Sequence, residues 1–133
     1  MWWNRLYAVA GAGLIGGSVM LGCSGDSSTG GMGANIDVTV VRNASTKTTT
    51  AFSPNPFTVS LADGGKVVWY NGDFAPGYGG GGTPHHLVED AALFDSAVMG
   101  PRTSYSFTFT VAGTYTYHCS IHPTMIGTIT VTP

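Results

Sequence analysis

Cys119, His122 and Met125 stand at C-x-x-H-x-x-M spacing near the end of the chain, in the stretch Cys119-Ser-Ile-His122-Pro-Thr-Met125. Two-residue gaps let a thiolate, an imidazole and a thioether turn toward one point, so the three can share a metal ion. A second imidazole must come from elsewhere in the fold, and His85, His86 and His118 are the remaining histidines. Two His, one Cys and a weakly held Met suit copper alternating between Cu(I) and Cu(II). The sulfur ligands favour the reduced ion, while imidazole serves both states.

Other chemistries fit these residues less well. A single Cys in an apolar β-domain is ordinarily an inert buried residue, and a Met near a chain end ordinarily packs. Structural zinc calls for further Cys paired as C-x-x-C, and the chain has no such pair. Nucleophilic catalysis by Cys119 with a nearby His is conceivable, but no Gly-rich turn at a strand-to-helix junction stands ready to hold an oxyanion.

From Asn35 onward the apolar residues alternate with a period of two. Ile36, Val38 and Val40 share a face, as do Phe57, Val59 and Leu61, and then Val67 and Trp69. Tyr105, Phe107, Phe109 and Val111 form the clearest run, followed by Tyr115, Tyr117 and Cys119, with Ile129 and Val131 closing the series. Gly, Pro, Asn and Asp clusters separate these runs. Short half-buried strands punctuated by turns predict an all-β antiparallel sandwich. Cys119 then points inward at the end of its strand, and the short loop after it delivers His122 and Met125.

The chain of 133 residues has room for an export signal, a tether and one domain of ~100 residues. Only 9% of residues are charged and the net charge is -2, which leaves no basic patch for nucleic acid and no acidic block. Arg5 is the sole charge before Asp26, and Leu6 to Gly22 is apolar and rich in Gly and Ala. A charged n-region followed by an apolar h-region reads as a signal peptide. It falls short of the ~20 strongly apolar residues of a transmembrane helix. The segment ends in Met20-Leu21-Gly22-Cys23, which resembles the lipobox of bacterial lipoproteins, with Met20 where Leu is usual. By that resemblance Cys23 is lipidated and becomes the N-terminus; an ordinary secretory signal cut nearby is the plainer reading. Ser24 to Ala34 is Ser/Gly-rich and reads as a flexible tether. The expected organisation is a signal over 1–22, a tether over 23–34 and a copper-binding domain over 35–133.

Residues 56–133 resemble a bacterial cupredoxin of the plastocyanin/amicyanin type, a family of small blue-copper proteins. The passages that carry the resemblance are Trp69-Tyr-Asn71, Pro84-His85, the run from His85 to Asp90, Leu93-Phe94-Asp95-Ser96, and Gly113 through Cys119, His122 and Met125 to Gly127. The equal Cys–His and His–Met gaps are similar to those of amicyanins, whereas plastocyanins and pseudoazurins have a longer second gap. The resemblance implies a Greek-key β-sandwich, one mononuclear type 1 copper near one end, and ligands His85, Cys119, His122 and Met125. His85 is preferred over His86 because it follows Pro84, and because counting from it places Asp90, Phe94, Asp95 and Ser96 where the family has them.

This chain departs from the family pattern at three places. His86 stands where an Asn that ties the ligand loops together is common, although Ser120 keeps a hydroxyl that can bond across them. The Gly-rich stretch from Asp73 to Gly82 is longer than usual. His118 occupies a position where the family often has an aromatic, and by alternation it faces away from the copper.

The implied function is non-enzymatic: single-electron transfer between redox partner proteins, by a monomer on the periplasmic side of the bacterial cell envelope, held to a membrane by lipid on Cys23. The alternative is a periplasmic copper carrier that delivers the ion to another protein. A Met-rich or His-rich shuttling tract would favour it, but Met32 and Met99 are isolated.

Overall fold

A computed structural model describes residues 35–77 and 81–133; the expected signal, tether and Cys23 lie outside them. The strands are β1 (Val38–Val40), β2 (Phe52–Ser53), β3 (Phe57–Ser60), β4 (Lys66–Asn71), β5 (His85–Glu89), β6 (Asp95–Met99), β7 (Ser104–Thr108), β8 (Gly113–Cys119) and β9 (Ile126–Thr132), with a 3-10 turn at Ala44–Thr46. The period-2 runs fall on β1, β3, β4, β7, β8 and β9, while β2, β5 and β6 lie outside them. One sheet has the order β2-β1-β4-β7 and the other β3-β9-β8-β5-β6. The all-β sandwich expected from the sequence is the architecture found. Most pairings are antiparallel, but β1 lies parallel to β4 and β3 parallel to β9. Parallel neighbours need a long connection, and here the chain crosses between the sheets before each partner returns.

The core lies between the two sheets. Val38, Val40, Val67, Trp69, Leu87, Tyr117 and Ile129 are completely buried. Each fully buried Val, Leu or Ile contributes about 1.5–3 kcal/mol relative to exposure. Trp69 belongs to an aromatic cluster, with ring centroids 5.1 Å from Phe94, 5.8 Å from Tyr105 and 5.7 Å from Tyr117. Its indole N–H has no hydrogen-bond partner among the described residues, and the ring meets Tyr117 edge-on at 81°.

Two expected core positions are exposed. Ile36 precedes β1 and is 47% exposed, and Val111 is 64% exposed. The run outlasts the strand: β7 ends at Thr108, the Phe109 N–H still bonds the Gly65 carbonyl at 2.9 Å in the same register, and Val111 lies beyond both. Gly65 has φ +64°, and a Cβ there would lie 2.3 Å from the Phe109 oxygen, so the turn requires glycine. Gly127 faces Tyr117 across β8 and β9. A Cβ on it would lie 2.1 Å from the Tyr117 ring, which covers the glycine.

Candidate metal centre

Three elements meet at one end of the sandwich: the last residue of β8, the first of β5, and the loop from Ser120 to Met125. Strands β5 and β8 pair antiparallel with Leu87 opposite Cys119, which brings His85 beside the cysteine. The loop makes two successive tight turns. The His122 N–H bonds the Cys119 carbonyl at 3.1 Å, and the Met125 N–H bonds the His122 carbonyl at 3.0 Å. Each turn advances three residues, so Cys119, His122 and Met125 recur at the turn corners. Pro123 occupies the second position of the later turn, where its fixed φ is favourable. The Cys119 N–H closes the loop on the Met125 carbonyl at 3.2 Å.

The Cys119 sulfur lies 3.6 Å from His85 Nδ1 and 3.7 Å from His122 Nδ1. The three donor atoms all lie within 4.8 Å of one another. His85, Cys119 and Met125 are completely buried, whereas His122 is only partly so. Burial by itself would push the Cys119 thiol up. Hydrogen bonds from His85, the His86 backbone N–H and His122 outweigh it and hold the thiol down to about 6. Burial would likewise lower His85, but its contacts with Cys119 and Asp73 prevail and raise it. A soft thiolate, two imidazoles turning Nδ1 toward it and a buried thioether one turn away form a donor set that fits copper.

A group whose folded pKa is depressed stabilises the fold in its ionised form, and that contribution is lost as pH falls through the folded value. Because its hydrogen bonds lower the thiol, the far-ultraviolet thiolate absorbance of the copper-free protein should show a midpoint at about 6, against ~8.5 for an ordinary thiol. Cys119→Ser should remove this transition. An unshifted midpoint in the wild type would contradict the hydrogen-bonded thiolate.

The adjacent histidines separate as the strand alternation requires. His85 is sealed inside, while the His86 side chain is 24% exposed and points to the opposite face. His86 takes over the tie that an Asn makes in the family pattern. Its backbone N–H donates to the Cys119 sulfur at 3.4 Å, and its carbonyl accepts the Ser120 N–H at 2.8 Å. Its ring spans Ser120 Oγ at 2.7 Å from Nδ1 and Asp95 Oδ1 at 2.5 Å from Nε2. Hydrogen bonds from the Ala97 N–H and then His86 hold the Asp95 carboxyl below its usual range. Asp95 is thus the acceptor and His86 Nε2 the donor, while Nδ1 pairs with the Ser120 hydroxyl. The ligand loops are joined through a longer side chain. His118 shares H-x-x-x-H spacing with His122 but faces outward, with Nδ1 2.7 Å from Asp90 Oδ1.

Asp73 was not anticipated. It is the sole carboxylate between Asp63 and Glu89, and at 4% exposure it lies behind His85 with Oδ2 3.0 Å from Nε2. An acidic residue two positions after an apolar strand was the available signal. It opens the Gly-rich stretch, whose base is laddered by Ala75 N–H to Gly81 O at 3.0 Å and Thr83 N–H to Asp73 O at 2.9 Å. Residues 78–80 lie outside the described residues.

Residues 37–132 match the family model for copper binding proteins of the plastocyanin/azurin family. A fold of two β-sheets with a His-Cys-His cluster at one end, two of its members buried, defines a cupredoxin, and the chain belongs to that plastocyanin/azurin family, with copper as its cofactor. Amicyanin from Paracoccus denitrificans is 39% identical over 74 residues, spanning 51% of this chain and 50% of that relative. The match therefore covers about half the length of the curated protein. Among solved structures, a purple cupredoxin from Nitrosopumilus maritimus shares the fold at a TM-score of 0.61 and 24% identity, covering 74% of this chain and all of that one. A mutant of amicyanin in its Cu(I) form superposes at a TM-score of 0.55 with 28% identity, covering 72% of this chain and 80% of that one.

Proposed function

We propose that this protein is an electron carrier that passes single electrons between redox partner proteins, using His85, Cys119, His122 and Met125 as copper ligands. The observation that carries this reading is the fixed donor cluster: each donor is held by a strand end, a turn or a hydrogen bond. Bound copper would supply a one-electron Cu(I)/Cu(II) couple. Cys119 is anchored at the end of β8, and His85 is held from behind by Asp73, so neither has to move between states. Four protein donors leave no open position of the kind catalytic metal sites retain, which favours a carrier over an enzyme. His122 is the part-exposed ligand, and Ile121 and Ile126 flank its loop at 44% and 41% exposure. They supply an apolar rim on which a partner can seat. A reversible couple with fast self-exchange in the copper-loaded protein is the expected result. A sluggish couple with ready loss of copper to an acceptor protein would favour the copper carrier instead.

We further place the monomer on the periplasmic side of a bacterial envelope, lipid-anchored through Cys23. The support is the sequence: a signal-like segment that ends in Met20-Leu21-Gly22-Cys23 and then a Ser/Gly tether. Intact mass of the mature protein should show diacylglycerol on Cys23, and Cys23→Ser should shift the protein to the soluble fraction. A soluble wild-type chain that begins at another residue without lipid would refute the anchor.

A further inference from the structure

We propose that Asp73 is a positioning residue for copper: it fixes the tautomer of His85 and makes that imidazole a stronger donor, biasing the site toward Cu(II). This rests on the copper reading above. The Asp73 carboxylate is buried and makes three hydrogen bonds. Oδ1 accepts the Asn43 N–H at 2.7 Å, while Oδ2 accepts the Ala44 N–H at 3.2 Å and faces His85 Nε2 at 3.0 Å. The Asp73 N–H donates to Asn71 Oδ1 at 3.0 Å, and Asn71 Nδ2 donates to the Thr83 and Met99 carbonyls at 2.9 and 3.0 Å. The carboxylate is thus set in place from several sides before it meets the histidine.

An ionised carboxylate only accepts hydrogen bonds, so His85 Nε2 must carry the proton. In the copper-free site Nδ1 donates to the Cys119 sulfur 3.6 Å away; on metal binding that proton leaves and Nδ1 offers its lone pair, while Nε2 keeps its proton on Asp73. A negative charge behind a ligating imidazole raises its basicity, and a better donor stabilises the more highly charged ion more. The effect is therefore larger on Cu(II) than on Cu(I), and the reduction potential falls.

Asparagine cannot reproduce this arrangement. With its oxygen at the Oδ2 position, its NH2 group opposes the Asn43 N–H. With its oxygen at the Oδ1 position, NH2 faces the Ala44 N–H and forces Nε2 of His85 to accept, which protonates Nδ1. Either way the ligand is impaired.

The test compares full-length wild type with Asp73→Asn, reading Cu(II) and Cu(I) affinities, the reduction potential, and proton and nitrogen NMR of the Cu(I) form. In the variant, Cu(II) affinity should fall ~10–100-fold with a smaller loss for Cu(I). The potential should rise by about 59 mV for each tenfold change in the ratio of the two affinities. Equal losses for both ions with an unchanged potential would show a merely structural residue and overturn the proposal. Should the variant fail to fold, the wild type decides. Its Cu(I) form should show a slowly exchanging proton on His85 Nε2, and an Nε2 without a proton overturns the proposal. A wild type that takes up copper without an intense visible band would remove the copper reading and this inference together. A blue wild type matched by an equally blue, equipotential variant would remove the inference alone.

Discussion

Cys119→Ser should abolish the intense visible thiolate-to-copper band and cut Cu(I) affinity by more than the ~10–100-fold that loss of an outer ligand partner costs. The thiolate is both the optical chromophore and the strongest ligand of the set, and a serine hydroxyl supplies neither property at neutral pH. The structure sharpens this expectation. Hydrogen bonds from His85, the His86 backbone and His122 hold the thiol down to about 6, so little free energy is spent on deprotonation before copper binds. The fold should persist. The hydroxyl is smaller than the thiol, and the His86 N–H that donates to the sulfur at 3.4 Å can donate to the oxygen instead. Circular dichroism of the copper-free variant should match that of wild type. Survival of the visible band would exclude Cys119 as the ligand.

Substitution of the adjacent histidines should give opposite outcomes. His85→Ala removes a completely buried imidazole from beside the Cys119 sulfur, so the blue site should be lost or become open to added imidazole. It also removes one of the three hydrogen bonds to the buried Asp73 carboxylate, and a hydrogen bond lost from a buried charged group costs free energy. The variant should thus be less stable even without metal. His86→Ala deletes a ring that bridges Ser120 and Asp95 on the other face, while its backbone N–H to Cys119 remains. The colour should stay and the potential shift modestly. Absorption spectra of the two variants check both outcomes, and the reverse pattern would move the site to the other face of β5.

Why some of this was readable in the sequence and some was not follows from chain distance. The Cys119–His122–Met125 group is local: two consecutive turns generate it, and its spacing alone exposes it. The strands show through their alternation for the same reason. His85 lies 34 positions from Cys119 in the chain, and choosing it over His86 needed the family's counting from Pro84. Asp73 escaped notice because its bond to His85 joins the base of a Gly-rich loop to a strand end, and no periodicity encodes such a contact. The apolar run through Val111 misled because hydrophobicity outlasts the pairing, which reaches Phe109 opposite Gly65 and leaves the exposed Val111 beyond it. The parallel pairs of β1 with β4 and β3 with β9 were also hidden, since alternation records which face is buried and not the direction of a neighbour.

The most direct measurement is the visible absorption spectrum of the wild-type protein loaded with one equivalent of Cu(II). A copper ion held by the Cys119 thiolate with His85 and His122, and Met125 as a further donor, would give an intense thiolate-to-copper charge-transfer band that disappears on reduction and returns on reoxidation. A pale solution showing only the weak absorption of copper held by nitrogen and oxygen would contradict the account.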